Sequence, residues 1–129
     1  MDEGVAGYMS YMALRESAYQ DSAQAWHDLQ FETARKALVE GKWISIDRLS
    51  PKDAWNSIEA SNPGLAFAES YVVVNYLVAT YGFDACVLIY KGVSAHSYNA
   101  ESALESQVGL TFRELEPALK EWLAETAPT

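Results

Sequence analysis

The chain has 129 residues, half of them hydrophobic, with four Trp, eight Tyr and a formal net charge of −9 at pH 7. That length suffices for one domain with a real core, and the acidic balance disfavours nucleic acid and anionic membrane, both of which need a basic surface. No apolar run reaches the roughly 20 residues needed to span a bilayer, so no membrane insertion is expected; no signal-peptide pattern follows Met1, and a lone Cys86 excludes a disulfide framework or a cysteine zinc site.

Residues 1–20 read as a helix with Asp2 and Glu3 at its start, where the helix dipole favours acids. Val5, Tyr8, Met9 and Met12 fall on one face, and Gly7, Tyr11, Leu14 and Ala18 on another. Two apolar faces predict neighbours on both sides. Asp21-Ser22 offers an N-cap for a second helix that runs to about Glu40 and stops at Gly41. In KWISIDRLS, Ile44 and Ile46 alternate with Ser45 and Asp47, which predicts an extended piece too short for a sheet of its own. Ser50-Pro51-Lys52-Asp53 reads as the cap and first turn of a short helix through Trp55, which SNPG then breaks.

The stretch from Leu65 to Tyr81, LAFAESYVVVNYLVATY, is the most apolar in the chain. Only Glu69, Ser70, Asn75 and Thr80 interrupt it, and on a helix they leave no broad polar face, so the helix is a buried one. Val72, Val73 and Val74 would suit a strand, but the length does not. Asn62-Pro63 marks its start, and Gly82 is suited to a left-handed C′ residue. FDACVLIYK follows as a helix stopped by Gly92, with Cys86 a small buried residue; VSAHSY is a loop. Asn99 caps AESALESQV, which ends at Gly109, where Leu110 folds back onto Leu104 in a Schellman ending. Thr111 and Glu114 have capping-box spacing and open a last helix with Phe112, Leu115, Leu119, Trp122 and Leu123 as its buried stripe; Pro117 should kink it or delay its regular start. The expectation is an all-α fold, a single compact domain of about six helices around the central helix 65–81.

Chemistry-bearing residues are few. His27 and His96 are the two histidines, there is no HExxH, and no phosphate loop, nucleophile elbow or EF-hand pattern is present. His27 reads as a solvated or core-edge side chain, and His96 as a loop residue. Glu69 and Ser70 stand out as polar groups inside an apolar helix, which must find partners, either an internal hydrogen bond or a site lining.

Three stretches nevertheless carry a resemblance. Asp2-Glu3-Gly4-Val5-Ala6-Gly7-Tyr8 resembles the E-G-[LV]-A-x-Y stretch of the bacterial peptidase MA-like proteins, a gluzincin family of zinc metallopeptidases. Ala66-Phe67-Ala68-Glu69-Ser70-Tyr71, Val74, Tyr76-Leu77 and Tyr81-Gly82 are similar to the helix that follows in that family. Ala103-Leu104, Gly109-Leu110, the Phe112-to-Leu115 step and Trp122 resemble its C-terminal pattern, so the match runs through most of the chain in order. The resemblance implies that Glu3 is the third zinc ligand of an intact parent, whose two histidine ligands and general-base glutamate sit in an HExxH helix. That helix is absent from the chain, so the expected partners are the N-terminal HExxH half of the same domain and, in the parent, a peptide or protein substrate. Alone, the chain is expected to be inactive and to hold no zinc. Phe67 replaces the family tyrosine and has no hydroxyl for an oxyanion; Tyr71, one turn later, is the substitute. The rival reading is a helical protein-interaction module, or a degenerate pseudo-peptidase, that does no chemistry. On the family reading, the face of the two-faced first helix that would cover the HExxH half is left open, which predicts a homodimer through that helix.

Overall fold

The computed structural model describes residues 2–17, 19–46, 52–95 and 100–125, with the side chains at 2, 3, 52–55, 90, 92–95 and 100 excepted. The described residues form seven helices and no strand: α1 (Asp2–Leu14), α2 (Gln20–Val39), α3 (Lys52–Ser61), α4 (Leu65–Tyr81), α5 (Phe83–Ala95), α6 (Ala100–Val108) and α7 (Phe112–Glu125). The all-α architecture and the central place of α4 follow the expectation. Eleven residues of α4 are buried, and α1, α2, α3, α5 and α7 all pack on it. Its valines meet Phe31 and Ala34 from α2, Ile89 from α5, Leu104 from α6 and Leu115, Leu119 and Leu123 from α7 in one cluster. With walls on every side, no polar stripe is needed.

Several boundaries differ from the sequence reading, each for a local reason. The described residues hold seven helices against the expected about six, and the short helix through Trp55 runs to Ser61, where SNPG breaks it. The α2 helix begins at Gln20, ahead of Asp21-Ser22, with Tyr19 at the cap position; the Tyr19 N–H donates to Ser17 Oγ at 3.0 Å. The α4 helix starts at Leu65, two residues after Pro63, because left-handed Gly64 (φ +84°) turns the chain and donates its N–H to Glu59 Oε2. Gly82 has φ +93° but ψ 157°, a region open essentially to glycine alone, so α5 follows at once without a left-handed cap. Gly92 does not stop α5, which runs to Ala95: an interior glycine costs only about 0.5–1 kcal/mol. The proposed loop after it is thus partly helical, while His96 and the Asn99 cap lie outside the described residues, as do the Ser50-Pro51 cap and Asp47.

At the end of α6 the Gly109 N–H reaches Glu105 O at 2.9 Å, the simpler αL ending rather than a Schellman motif. The Schellman pair belongs instead to α2, where Gly41 N–H donates to Leu38 O and Lys42 N–H to Ala37 O. The Thr111–Glu114 capping box is formed in both directions, at 3.3 and 3.2 Å. The α7 helix starts on time and passes through exposed Pro117, while Leu115, Leu119 and Leu123 are wholly buried.

The α1 helix docks differently from either predicted stripe. Its buried residues are Gly4 and Gly7, one turn apart. A Cβ at position 4 would lie 2.5 Å from the Ser70 carbonyl oxygen, and one at position 7 would lie 3.0 Å from Phe67 Cζ. Glycine lets the two helices approach backbone to backbone at Gly4 and backbone to side chain at Gly7. Tyr8, Tyr11 and Met12 are half-buried beside that seam, whereas Met9 and Leu14 are 49% and 41% exposed.

The 42–46 connection is not the expected extended piece throughout: residues 42–45 have no regular structure and Ile46 enters a 3-10 turn, with Ile44 and Ile46 buried and Ser45 exposed. It has no strand partner, so its N–H groups need other acceptors. Two carboxyl side chains supply them for Ile44 and Ile46. Ile44 N–H donates to Glu69 Oε1 at 2.9 Å, and Glu116 Oε1 accepts from Trp43 Nε1 at 3.0 Å and Ile46 N–H at 3.2 Å.

Candidate functional site

The most organised polar cluster forms where α1, α2 and α4 meet. The Tyr71 ring is fully buried in α4, and its hydroxyl lies 2.5 Å from His27 Nδ1. Aromatic neighbours fix the imidazole: Tyr11 stacks at 4.4 Å between centroids and Phe31 lies at 4.6 Å. Trp26 meets Tyr71 edge-on at 4.9 Å. Burial pushes the His27 pKa down and the Tyr71 phenol up, so both are neutral at pH 7. A neutral imidazole carries one ring proton, so the bond runs from the phenol to Nδ1 when that proton is on Nε2, and from Nδ1–H to the phenol oxygen otherwise. Tyr11 extends the network by donating to Gln24, whose amide donates to Asp28. A cleft of about 300 Å³ opens beside His27, lined also by Asp28, Phe31, Asn75 and Trp122. Aromatic walls with a few polar groups at the rim suit a small ligand or a single inserted side chain.

The sequence reading placed His27 as a solvated or core-edge residue. It is a core-edge histidine, but with a defined partner 44 residues away. The available hint was the clustering of Trp26, His27 and Phe31 on α2; pairing with Tyr71 is tertiary and cannot be read from local spacing.

Glu69 and Ser70 resolve largely as an internal arrangement. Glu69 is 0% exposed; Oε1 accepts from Ile44, while Oε2 is buried with no hydrogen-bond partner, and so is Ser70 Oγ. Desolvation pushes the Glu69 carboxyl up to about 8, so it is protonated at neutral pH. Ser70 lies under the α1 seam, its carbonyl against Gly4.

Of the residues singled out by resemblance, Glu3 sits in the first turn of α1, immediately before Gly4, and its side chain lies outside the described residues. Phe67 fills the seam below Gly7 and meets Trp26 at 6.0 Å. Tyr71 shares that seam, since a Cβ on Gly7 would come within 3.3 Å of its ring. The structure therefore brings the α1 stretch and the α4 stretch into direct contact. Among the described residues, no group of three or more His, Cys, Asp or Glu comes together as a metal set, and no helix is long and apolar enough to cross a membrane. Cys86 is buried, and burial raises its thiol pKa, away from reactive thiolate chemistry.

Fold and site together define an all-helical domain with one buried central helix and a polar–aromatic cluster at the α1–α2–α4 junction. No family model, curated protein or solved structure matches the chain.

Proposed function

We propose that this chain is the C-terminal helical part of a gluzincin-like zinc peptidase domain, in which Glu3 is the third zinc ligand and the two histidine ligands belong to an HExxH half. The observation that supports this reading is spatial. Three stretches that carry the resemblance, distant in sequence, converge: Gly4 and Gly7 pack on Ser70, Phe67 and Tyr71, and Tyr71, Tyr76, Leu104 and Trp122 share one core cluster. Glycines at this seam let the start of α1 lie close against the middle of α4, which would fix the backbone of Glu3.

A catalytic zinc site takes three protein ligands and a water, and the described residues do not complete one. When bound in the parent, zinc would supply a metal-activated water for peptide-bond hydrolysis. What this chain contributes is one carboxylate and the helical floor beneath it. Phe67 has no hydroxyl to offer an oxyanion. Tyr71 has one, but it is engaged by His27, so oxyanion support by Tyr71 requires that pair to part. Peptide or protein is the substrate class of the parent on this reading. The exposed Met9 and Leu14 of α1 support association through that helix, with the HExxH half or with a second copy of the chain. The coding sequence ahead of Met1 tests the assignment: an in-frame HExxH within a few tens of codons is expected, and its absence would return the chain to the class of non-catalytic interaction modules.

A further inference from the structure

We propose that residues 42–46 form a proton-gated strap, closed over the core while Glu69 carries a proton and released as Glu69 ionises. The proposal is independent of the peptidase reading. It rests on how the segment is held. An irregular connection, with no strand beside it among the described residues, is fastened by two carboxyl side chains from different helices, Glu69 on α4 and Glu116 on α7. The two differ in setting. Glu116 is half-buried and holds both Trp43 Nε1 and the Ile46 N–H. Glu69 is fully buried, makes one bond through Oε1, and leaves Oε2 without a partner among the described residues.

A proton on Glu69 removes the cost of a buried charge. Its loss places an anion in a closed site with a single N–H donor. Among the described residues the charged groups that act on Glu69 are both on α7: Glu116, which opposes ionisation, and Lys120, which favours it. Nearby Ala37, Ile58, Leu65 and Ala66, from α2, α3 and α4, join Ile44 in an apolar cluster. Desolvation outweighs both the Ile44 N–H bond and Lys120, which favour the anion, and the carboxyl titrates at about 8 when closed against an ordinary 4.5 when solvated. The simplest way to hydrate the anion is to lift the strap that covers it, since the strap has no ladder to break. Its other side walls a cleft of about 260 Å³ with Ser57, Ile58, Ser61 and Asn62, so release also remodels that cleft.

Linkage sets the form of the test. The equilibrium constant for strap opening should rise by up to tenfold per pH unit between about pH 5 and 8, then level off. Amide hydrogen exchange of Ile44 and Ile46, corrected for the intrinsic base dependence of exchange, reads that constant. The Leu77 amide, deep in α4, serves as the global reference: global unfolding shares the Glu69 pH dependence, but its opening constant should stay far below that of Ile44 at every pH. In Glu69→Gln the opening constant should be flat with pH. In Glu116→Gln, which keeps an acceptor but loses the charge, the levelling-off should move to lower pH. A flat profile in the parent chain, a slope that survives Glu69→Gln, or a Leu77 opening constant equal to that of Ile44 would overturn the proposal.

Discussion

Replacing Gly4 with alanine sets two effects of known size against each other. In an exposed helix interior, alanine stabilises by about 1 kcal/mol over glycine. Here the added Cβ would stand 2.5 Å from the Ser70 carbonyl oxygen and 2.7 Å from its carbonyl carbon, both backbone atoms of the buried central helix. Contacts below 3.0 Å are essentially never seen for a real Cβ, so α1 must back away by about half an ångström. Overpacking of this kind costs about 1–3 kcal/mol. The clash should win, because the obstructing atoms cannot rotate away, and the net loss should be about 1–2 kcal/mol. For a domain of this length that lowers Tm by roughly 3–10 °C. Thermal unfolding followed by far-ultraviolet circular dichroism measures it. Gly7→Ala is the internal comparison: its nearest atoms, at 3.0–3.3 Å, are side-chain atoms of Phe67, Trp26 and Tyr71, so its loss should be smaller. A Gly4→Ala chain as stable as the parent, or more stable, would refute the close docking of α1 on α4.

Global stability should depend on pH through Glu69. The unfolded carboxyl ionises near 4.5 and the folded one near 8, so its contribution is fully present below pH 4.5 and is lost as pH rises toward 8. At about 1.36 kcal/mol per pH unit the ceiling on that loss is about 5 kcal/mol; urea denaturation at pH 5 and 7 should show the decline, and Glu69→Gln should abolish it. Tyr71→Phe removes the partner of His27 Nδ1, so stability should fall by about 1 kcal/mol and the His27 pKa, read by NMR titration, should rise; an unchanged His27 titration would argue against the bond. Sedimentation at micromolar concentration should show association of the chain that weakens when Met9 and Leu14, both exposed on α1, are replaced by serine; a monomer at all concentrations would count against association through α1.

What could be read from the sequence was the content dictated by periodicity and composition. The apolar run 65–81, too long for a strand and without a polar face, announced a buried helix despite its three consecutive valines. The capping box at Thr111 and the positive-φ glycine after α2 were legible because each is a short-range device with its own residue signature. Predictions failed where distant groups decide. The first helix was read by its large apolar side chains, but it packs by its glycines, because Ser70 and Phe67 approach from another helix. Gly92 looked like a stop, yet α5 carries on to Ala95. His27 looked uncommitted until Tyr71 was brought against it. Glu69 was visible as an anomaly in an apolar helix, but its acceptor role needed the fold of the 42–46 connection, whose N–H groups have no sheet to join.

The proposed placement of Glu3 in a zinc site is tested most directly by metal content. The protein expressed from its whole open reading frame, purified without chelator and assayed by elemental analysis, should hold about one zinc per chain, the occupancy of a single three-ligand site. Glu3→Ala in that same protein should release most of it, while Glu101→Ala, on α6 and bonded to the Phe112 N–H, should not. Zinc that is absent from the protein, or that stays at full occupancy after Glu3→Ala, would contradict the gluzincin reading.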